Sequence, residues 1–283
     1  MDGTQDSTRD RHPGPGITGA TLLVGAIGDP VAQVRAPAVF NRMFAELDVD
    51  AACIPMHVTP AHLEAAIQGV RAFPNFVGLS VTIPHKAAII PFLDEMSPRV
   101  RRLGVCNAVR REPDGRLVGD IFDGEGFAGG LAAQGIAVKG MRAWLVGAGG
   151  AGTAIAFAML DHGLAHLTLT DVAVAKAEAL AQRLKRHFPG QVAIATTLPD
   201  GVDLAINATP LGMKSDDPLS FDPRCLPARV IVADIIMEPP TTPLLLEAEA
   251  SGHRIHHGRH MLDHQVGLYA EFLGFRSLPK RAR

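Results

Sequence analysis

The segment RAWLVGAGGAGTAIAFAMLDHG, Arg142–Gly163, constrains this chain of 283 residues more than any other. An apolar run enters a stretch made only of glycine and alanine, and an alanine-rich run follows. The pattern predicts a buried strand, a tight turn and a helix. The turn holds G-x-G-x-x-G as Gly147, Gly149 and Gly152, with Ala148, Gly150 and Ala151 between them. The first glycine allows the turn, the second lets backbone approach a pyrophosphate, and the third lets helix and strand pack closely. The helix start adds free amides and a partial positive charge. The next strand, LTLTD (Leu167–Asp171), ends in an acid 24 positions after Gly147, near the spacing of dinucleotide sites. A carboxylate there accepts from a ribose 2′-hydroxyl and repels a 2′-phosphate. Val172, Ala173, Val174 and Ala175 follow, with no basic residue before Lys176. The unit therefore reads as binding NAD, with NADP as the alternative. Asp171 at the head of a helix can also serve as its cap, alone or in both roles.

On either side the chain alternates strand and helix signals. Thr21–Gly28, Ala51–Val58 and Phe76–Thr82 read as strands. Helices are expected from Pro37 to Leu47, from a Thr59 cap and Pro60, and from Pro84 to about Leu93. Cys106–Asp120 carries a PDG turn and reads as a hairpin, with a helix over Gly124–Gln134. After the glycine-rich turn, a helix is expected over Lys176–His187. VAIATT, DLAINATP and VIVADIIM read as further strands, and Met261–Phe275 as a last helix packing back on the first half. Repeated β/α units argue for two domains built on mostly parallel sheets.

Composition excludes several classes. Lys+Arg 27 against Asp+Glu 29 leaves no basic excess for nucleic acid, and aromatics at 5% give little base-stacking surface. No apolar run is long enough for a membrane span. Cys53, Cys106 and Cys225 offer neither a disulfide framework nor zinc spacing, which fits a reducing cytoplasm. The first residues lack the apolar core of a secretory signal. The expected partner is a small-molecule substrate, and the expected state a monomer or homodimer. His253, His256, His257, His260 and His264 cluster, but no Glu or Cys completes a ligand set, so no metal is assigned. Cys106 has no base of its own and reads as a small buried residue.

Hydride transfer from a carbinol needs a group to take the hydroxyl proton. Lys86, in VTIPHK, follows the C-terminal end of a strand, where ligands of parallel sheets bind. Asp123, in DIFDGEGF, sits at the boundary between the halves. By composition alone both are better explained as solvated surface charges.

Six segments together resemble the shikimate/quinate dehydrogenase family over about residues 24 to 276. They are VTIPHK (Val81–Lys86), GVCNAV (Gly104–Val109), DGEGF (Asp123–Phe127), GAGGAG, INATPLGM (Ile206–Met213) and GRHMLDHQ (Gly258–Gln265). The resemblance implies an N-terminal α/β substrate domain and a C-terminal Rossmann domain around a cleft. The boundaries expected are a loose tail at 1–18, the substrate domain at 19–123 and the dinucleotide domain at 124–258, with 259–283 returning to the first domain. It implies oxidation of the ring C3 hydroxyl of shikimate or quinate. Lys86 and Asp123 then match the catalytic pair. Thr82, Asn107 and Gln265 match substrate positions. Asn207, Ala208 and Thr209 match the cofactor groove, and Ile235 and Gly258 the nicotinamide side.

The departures are specific. Val34 and Ala36 replace the two serines of the family's carboxylate-binding Ser-x-Ser-Pro, while Pro37 and Asn41 remain. Each lost hydrogen bond to a charged group weakens binding by roughly 1.5–3 kcal/mol. Arg35 between them can supply a charge-assisted contact instead. Gln33 stands at the usual His, Ser80 at a usual Asn, Ile121 and Phe122 at a polar pair, and Met237 at a substrate-contacting Tyr. Asp171, Val172 and Ala173 replace the Asn-Arg-Thr of NADP members, with Lys176 at a further Arg. The readings are thus a shikimate dehydrogenase-like enzyme, an NAD-dependent quinate or other polyol dehydrogenase with an altered pocket, and a non-catalytic nucleotide-binding regulator.

Overall fold

Two sheets, each of six strands, organise residues 16–277, the part of the chain that the computed structural model describes. The expected tail lies outside the described residues up to position 15, as does the end of the expected C-terminal segment after 277.

The first sheet has the order β2-β1-β3-β5-β6-β4. Its strands are β1 (Leu22–Gly28), β2 (Ala51–His57), β3 (Phe76–Val81), β4 (Glu95–Met96), β5 (Ala108–Arg111) and β6 (Leu117–Asp120). β1 pairs in parallel with β2 and β3, whereas the β5–β6 hairpin joins β3 antiparallel. The sheet is therefore mixed, because a tight PDG turn can only reverse the chain. Helices α1 (Ala36–Glu46), α2 (Leu63–Ala72), α3 (His85–Ala88) and α4 (Pro98–Leu103) connect the strands.

Three expectations need correction here. Thr59 caps nothing: its hydroxyl pairs with His62 Nδ1 at 2.9 Å, and a 3₁₀ turn over Pro60–His62 precedes α2. The helix from Pro84 is one turn long and gives way to a 3₁₀ turn at Ile90–Phe92. Pro91 has no amide with which to continue it. The last helix is two helices, as described below.

α5 (Asp123–Ala133) leads into the second sheet, with β7 (Arg142–Val146), α6 (Gly150–Asp161), β8 (His166–Thr170), α7 (Val174–Lys185) and β9 (Val192–Ile194). Then come β10 (Leu204–Asn207), β11 (Ile231–Asp234), α8 (Pro243–Ala250) and β12 (Ile255–His256). All its pairings are parallel, in the order β12-β11-β10-β7-β8-β9. Counted from β7 this is 3-2-1-4-5-6 reversed, the doubly wound order with its switch point between β7 and β10. The glycine-rich turn leaves β7 at that point.

The chain ends in α9 (Arg259–Asp263) and α10 (Val266–Phe272). α9 packs on α5. Tyr269 and Phe275 enter the apolar cluster of Phe40, Phe44 and Phe122 against the first sheet, so the C-terminus returns to the first half. Among the described residues no helix is long and apolar enough to cross a membrane.

Candidate active site

Lys86 lies in the first turn after β3, and Asp123 opens α5 directly after β6. Lys86 Nζ donates to Asp123 Oδ2 at 2.5 Å, with side chains only 10% and 4% exposed. The surface-charge reading of this pair is therefore wrong: both are buried and joined. Removing either partner leaves a buried charge unpaired, at a cost of about 3–5 kcal/mol.

Two amides complete the arrangement. Asn107 Nδ2 donates to Asp123 Oδ1 at 2.8 Å and to Gln265 Oε1 at 3.1 Å, while its Oδ1 accepts from the Phe122 amide at 2.9 Å. Gln265 Nε2 reaches Asp123 Oδ1 at 3.4 Å. Gln265 sits in the break between α9 and α10, and an uninterrupted helix would not deliver it there in this way. Asp123, Asn107 and Gln265 thus share one hydrogen-bonded cluster with Lys86, while Thr82, also singled out, makes no hydrogen bond in it.

Tyr269, the sole tyrosine, carries no motif and was not singled out. Fully buried, it donates to the Asn107 carbonyl at 2.6 Å and stands 3.4 Å from Ser80 Oγ. Burial pushes its phenol well above the usual range, so it is a permanent donor. Ser80 accordingly faces Tyr269, and Thr82 packs its methyl against Gly28 at the end of β1. Cys106 is buried, and burial pushes its thiol up to about 12; it is the inert small residue expected.

The glycine-rich turn lies against this cluster. A Cβ on Gly150 would fall 3.1 Å from Lys86 Cβ, so the start of α6 touches the lysine stem. Gly147 has φ +109°, and a Cβ there would meet the Ala208 backbone at 2.7 Å. A Cβ on Gly152 would sit 2.0 Å from the Gly147 carbonyl. Gly149, by contrast, faces open space. The turn is closed toward the protein and bare on its outer side, where the first amides of α6 have no partners within the helix. Asp171 accepts from the Ala148 amide and the Ala173 amide, each at 2.8 Å. It therefore fastens the glycine-rich turn to the loop after β8. Its remaining lone pairs stay free for a hydroxyl. Val172 is 99% exposed and Lys176 is also exposed.

The opposite side of the turn comes from β10 and β11. Asn207 is fully buried, donating to Asp234 Oδ1 and the Leu211 carbonyl at 3.1 Å and accepting from Thr209. Its side chain thus shapes the loop that sets Ala208 and Thr209 beside Gly147. Gly258 lies so close to Ile235 and Ile236 that a Cβ would fall 2.3 Å from the Ile236 carbonyl. Ile235 and Met237 are partly buried, packed on the main core.

The Val34–Ala36 segment differs from what its resemblance implies. Val34 and Ala36 pack with the cluster of Phe40, Phe122 and Tyr269. Arg35 is paired with an acid: Nη1 donates to Glu238 Oε2 at 2.8 Å, bridging the first half to the loop after β11. Gln33 bonds its own turn at Pro30.

A parallel sheet in this order, with a glycine-rich turn at its switch point set against a buried Lys–Asp pair, defines an NAD(P)-dependent dehydrogenase acting on a CH–OH group. The comparisons agree. Residues 26–109 match the family model described as the shikimate dehydrogenase substrate binding domain. The chain is 37% identical over 247 residues to a shikimate dehydrogenase (NADP(+)) of Lysinibacillus sphaericus, covering 87% of this chain and 89% of that protein. A crystal structure of a shikimate dehydrogenase in complex with NADP+ superposes with a TM-score of 0.85 at 30% identity, covering 92% of each chain. A quinate dehydrogenase from Corynebacterium glutamicum in complex with NAD gives 0.80 at 28% identity, covering 89% of this chain and 93% of that one. This chain belongs to the shikimate dehydrogenase family, and it is a shikimate dehydrogenase-like oxidoreductase.

Proposed function

We propose that this chain moves hydride between NAD and the C3 hydroxyl of shikimate or a related cyclic hydroxy acid. The observation that carries the proposal is the buried Lys86–Asp123 pair lying against the start of α6. Residues fit a dinucleotide: Gly149 is bare, the α6 amides point outward, and Gly147, Gly152 and Ala208 keep the turn tight. When bound, the nicotinamide supplies the hydride acceptor or donor. Gly147–Gly152 and Asp171 hold the pyrophosphate and ribose, Thr209 lines the groove, and Ile235 and Gly258 back the ring.

Lys86 Nζ acts as the uncharged amine when it takes the hydroxyl proton during oxidation, and as the resulting ammonium it returns that proton during reduction. Asp123 Oδ2 keeps the amine aimed, while Asn107 and Gln265 hold the carboxylate from its other oxygen. Thr82, Ser80, Asn107, Gln265 and Met237 form the substrate wall. Lys86→Ala is expected to lower kcat about 10²–10⁴-fold with cofactor affinity retained, followed as absorbance at 340 nm. Unchanged turnover would sink this role.

The curated relatives are named for NADP(+), yet the loop after β8 offers a carboxylate and exposed Val172 where a 2′-phosphate needs a cation. We therefore assign NAD as the preferred cofactor. Asp171→Asn combined with Val172→Arg is expected to shift the kcat/KM ratio toward NADP. No shift would remove the basis of the assignment.

A second reading rests on one observation: Val34 and Ala36 carry no side-chain donor for a carboxylate, and Arg35 is already paired with Glu238. That favours quinate held in another geometry, or a ring alcohol without an acid group. Rates with shikimate, quinate and neutral ring alcohols, each with NAD and NADP, separate the two.

A further inference from the structure

Away from the catalytic cluster, a recess of about 690 Å³ opens between α4 and the end of α7. Its lining is Pro98, Arg101, Arg102, Arg183, Arg186 and His187. α4 belongs to the first half of the molecule and α7 to the second.

These arginines are not alike. Arg102 is held by Asp161 through two hydrogen bonds of 2.9 and 3.0 Å, and its guanidinium lies 4.8 and 5.1 Å from the ring centroids of Phe157 and Phe188. Arg183 spans the halves, donating to the Leu103 carbonyl at the end of α4. Burial without an acid beside it pulls its guanidinium below the usual range. Arg101 and Arg186 are exposed. Among the described residues no carboxylate pairs with Arg101, Arg183 or Arg186.

Asp161 cancels one of the four guanidinium charges. The C-terminal ends of α4 and α7 contribute at most about one further negative charge. About two positive charges therefore remain along this open recess. Basic residues near helix C-termini are favourable one helix at a time. That does not account for two such ends, from separate halves, converging on one recess with a desolvated arginine between them.

We propose that this recess binds a small polyphosphate, with two or more phosphate groups bridging the arginines of α4 and α7. Arg101 comes from α4 and Arg186 from the end of α7, so a ligand with two or more phosphate groups can engage both. Guanidinium forks suit phosphate oxygens. Binding ties the two halves together at a point the catalytic residues do not occupy.

The test is titration calorimetry of the full chain with inorganic pyrophosphate, at low salt and at 0.3 M NaCl. It compares wild type, Arg101→Glu/Arg186→Glu and Arg101→Lys/Arg186→Lys. Each is measured alone and saturated with NAD, whose own binding is recorded in the same proteins. We expect wild-type binding that persists with NAD present and weakens in salt. The double Glu variant should bind at least about tenfold more weakly, and the Lys variant should fall between. Both replaced residues are exposed, so the unfolding temperature without ligand should hold. Three results would overturn the proposal: no pyrophosphate binding to wild type, equal affinity in the Glu variant, or competition by NAD. The last two would place the anion elsewhere, as on the glycine-rich turn. Failure of NAD itself to bind would count against the cofactor reading alone.

Discussion

Asn107 is the residue on which the catalytic cluster turns. Its amide reaches Asp123 and Gln265 together, and its carbonyl takes the Tyr269 hydroxyl and the Val81 amide. Tyr269→Phe removes the hydroxyl and leaves the ring packing with Phe40 and Phe122 intact. Stability should fall by about 0.5–1.5 kcal/mol, read as a lower urea midpoint at unchanged slope, with a raised KM for the substrate. A variant with wild-type midpoint and KM would show that Tyr269 does not position Asn107. Asn107 was legible through its motif. Tyr269 was not, because a lone tyrosine in an apolar helix reads equally well as ordinary core.

At the scale of elements, α5 shows why a poor helix sequence can be the right one. Glycine inside a helix costs about 1 kcal/mol relative to alanine, yet DGEGFAGG carries four. A Cβ at Gly124 would lie 2.3 Å from the Ala154 carbonyl of α6, and one at Gly126 2.4 Å from the Met261 carbonyl of α9 and from Gln265 Cγ. The glycines let α5 lie between α6 and α9 with Asp123 at its head. Gly126→Ala should therefore destabilise by about 1–3 kcal/mol and cut activity by moving Gln265. Gly267→Ala, at an exposed position of α10 with open space around it, should be neutral or stabilising by up to about 1 kcal/mol. Thermal unfolding of the pair checks this, and equal losses would refute the packing argument. The same scale explains the errors. α8 begins at a Thr242 cap that accepts from the Leu245 amide, with Pro243 behind it. That signal lay in the sequence unread. The break between α9 and α10 has no such local signal, since Gln265 is drawn inward by partners far along the chain.

For the whole molecule, His256 marks where the second sheet meets the helices joining the halves. It is 1% exposed, beside Phe127 of α5 and His260 of α9. Burial, then the nearby His260, His257, His264 and Arg254, lower its pKa from 6.5 to about 4. The unfolded chain takes up a proton near pH 6.5 that the folded ring refuses. Stability is therefore full above about pH 6.5 and falls as pH drops toward 4, by roughly 2 kcal/mol at pH 4.5. His256→Phe should flatten the fall in unfolding temperature between pH 6.5 and 4.5. An unchanged slope would assign it to other groups. The arrangement of the two halves also corrects the role expected for Arg35: it meets Glu238 across the molecule, a contact between residues 203 positions apart.

The sequence by itself determined the alternation of strands and helices, the glycine-rich turn and the acid after β8. Each of these depends on residues a few positions apart, where hydrophobic period and backbone sterics act directly. Only the tertiary structure decided that Lys86 and Asp123 are a buried pair rather than surface charges. It alone brought Gln265 to Asn107 across 158 positions and Arg183 to the end of α4. Such meetings follow from which faces of the sheets and helices bury against one another, and no local spacing encodes that choice.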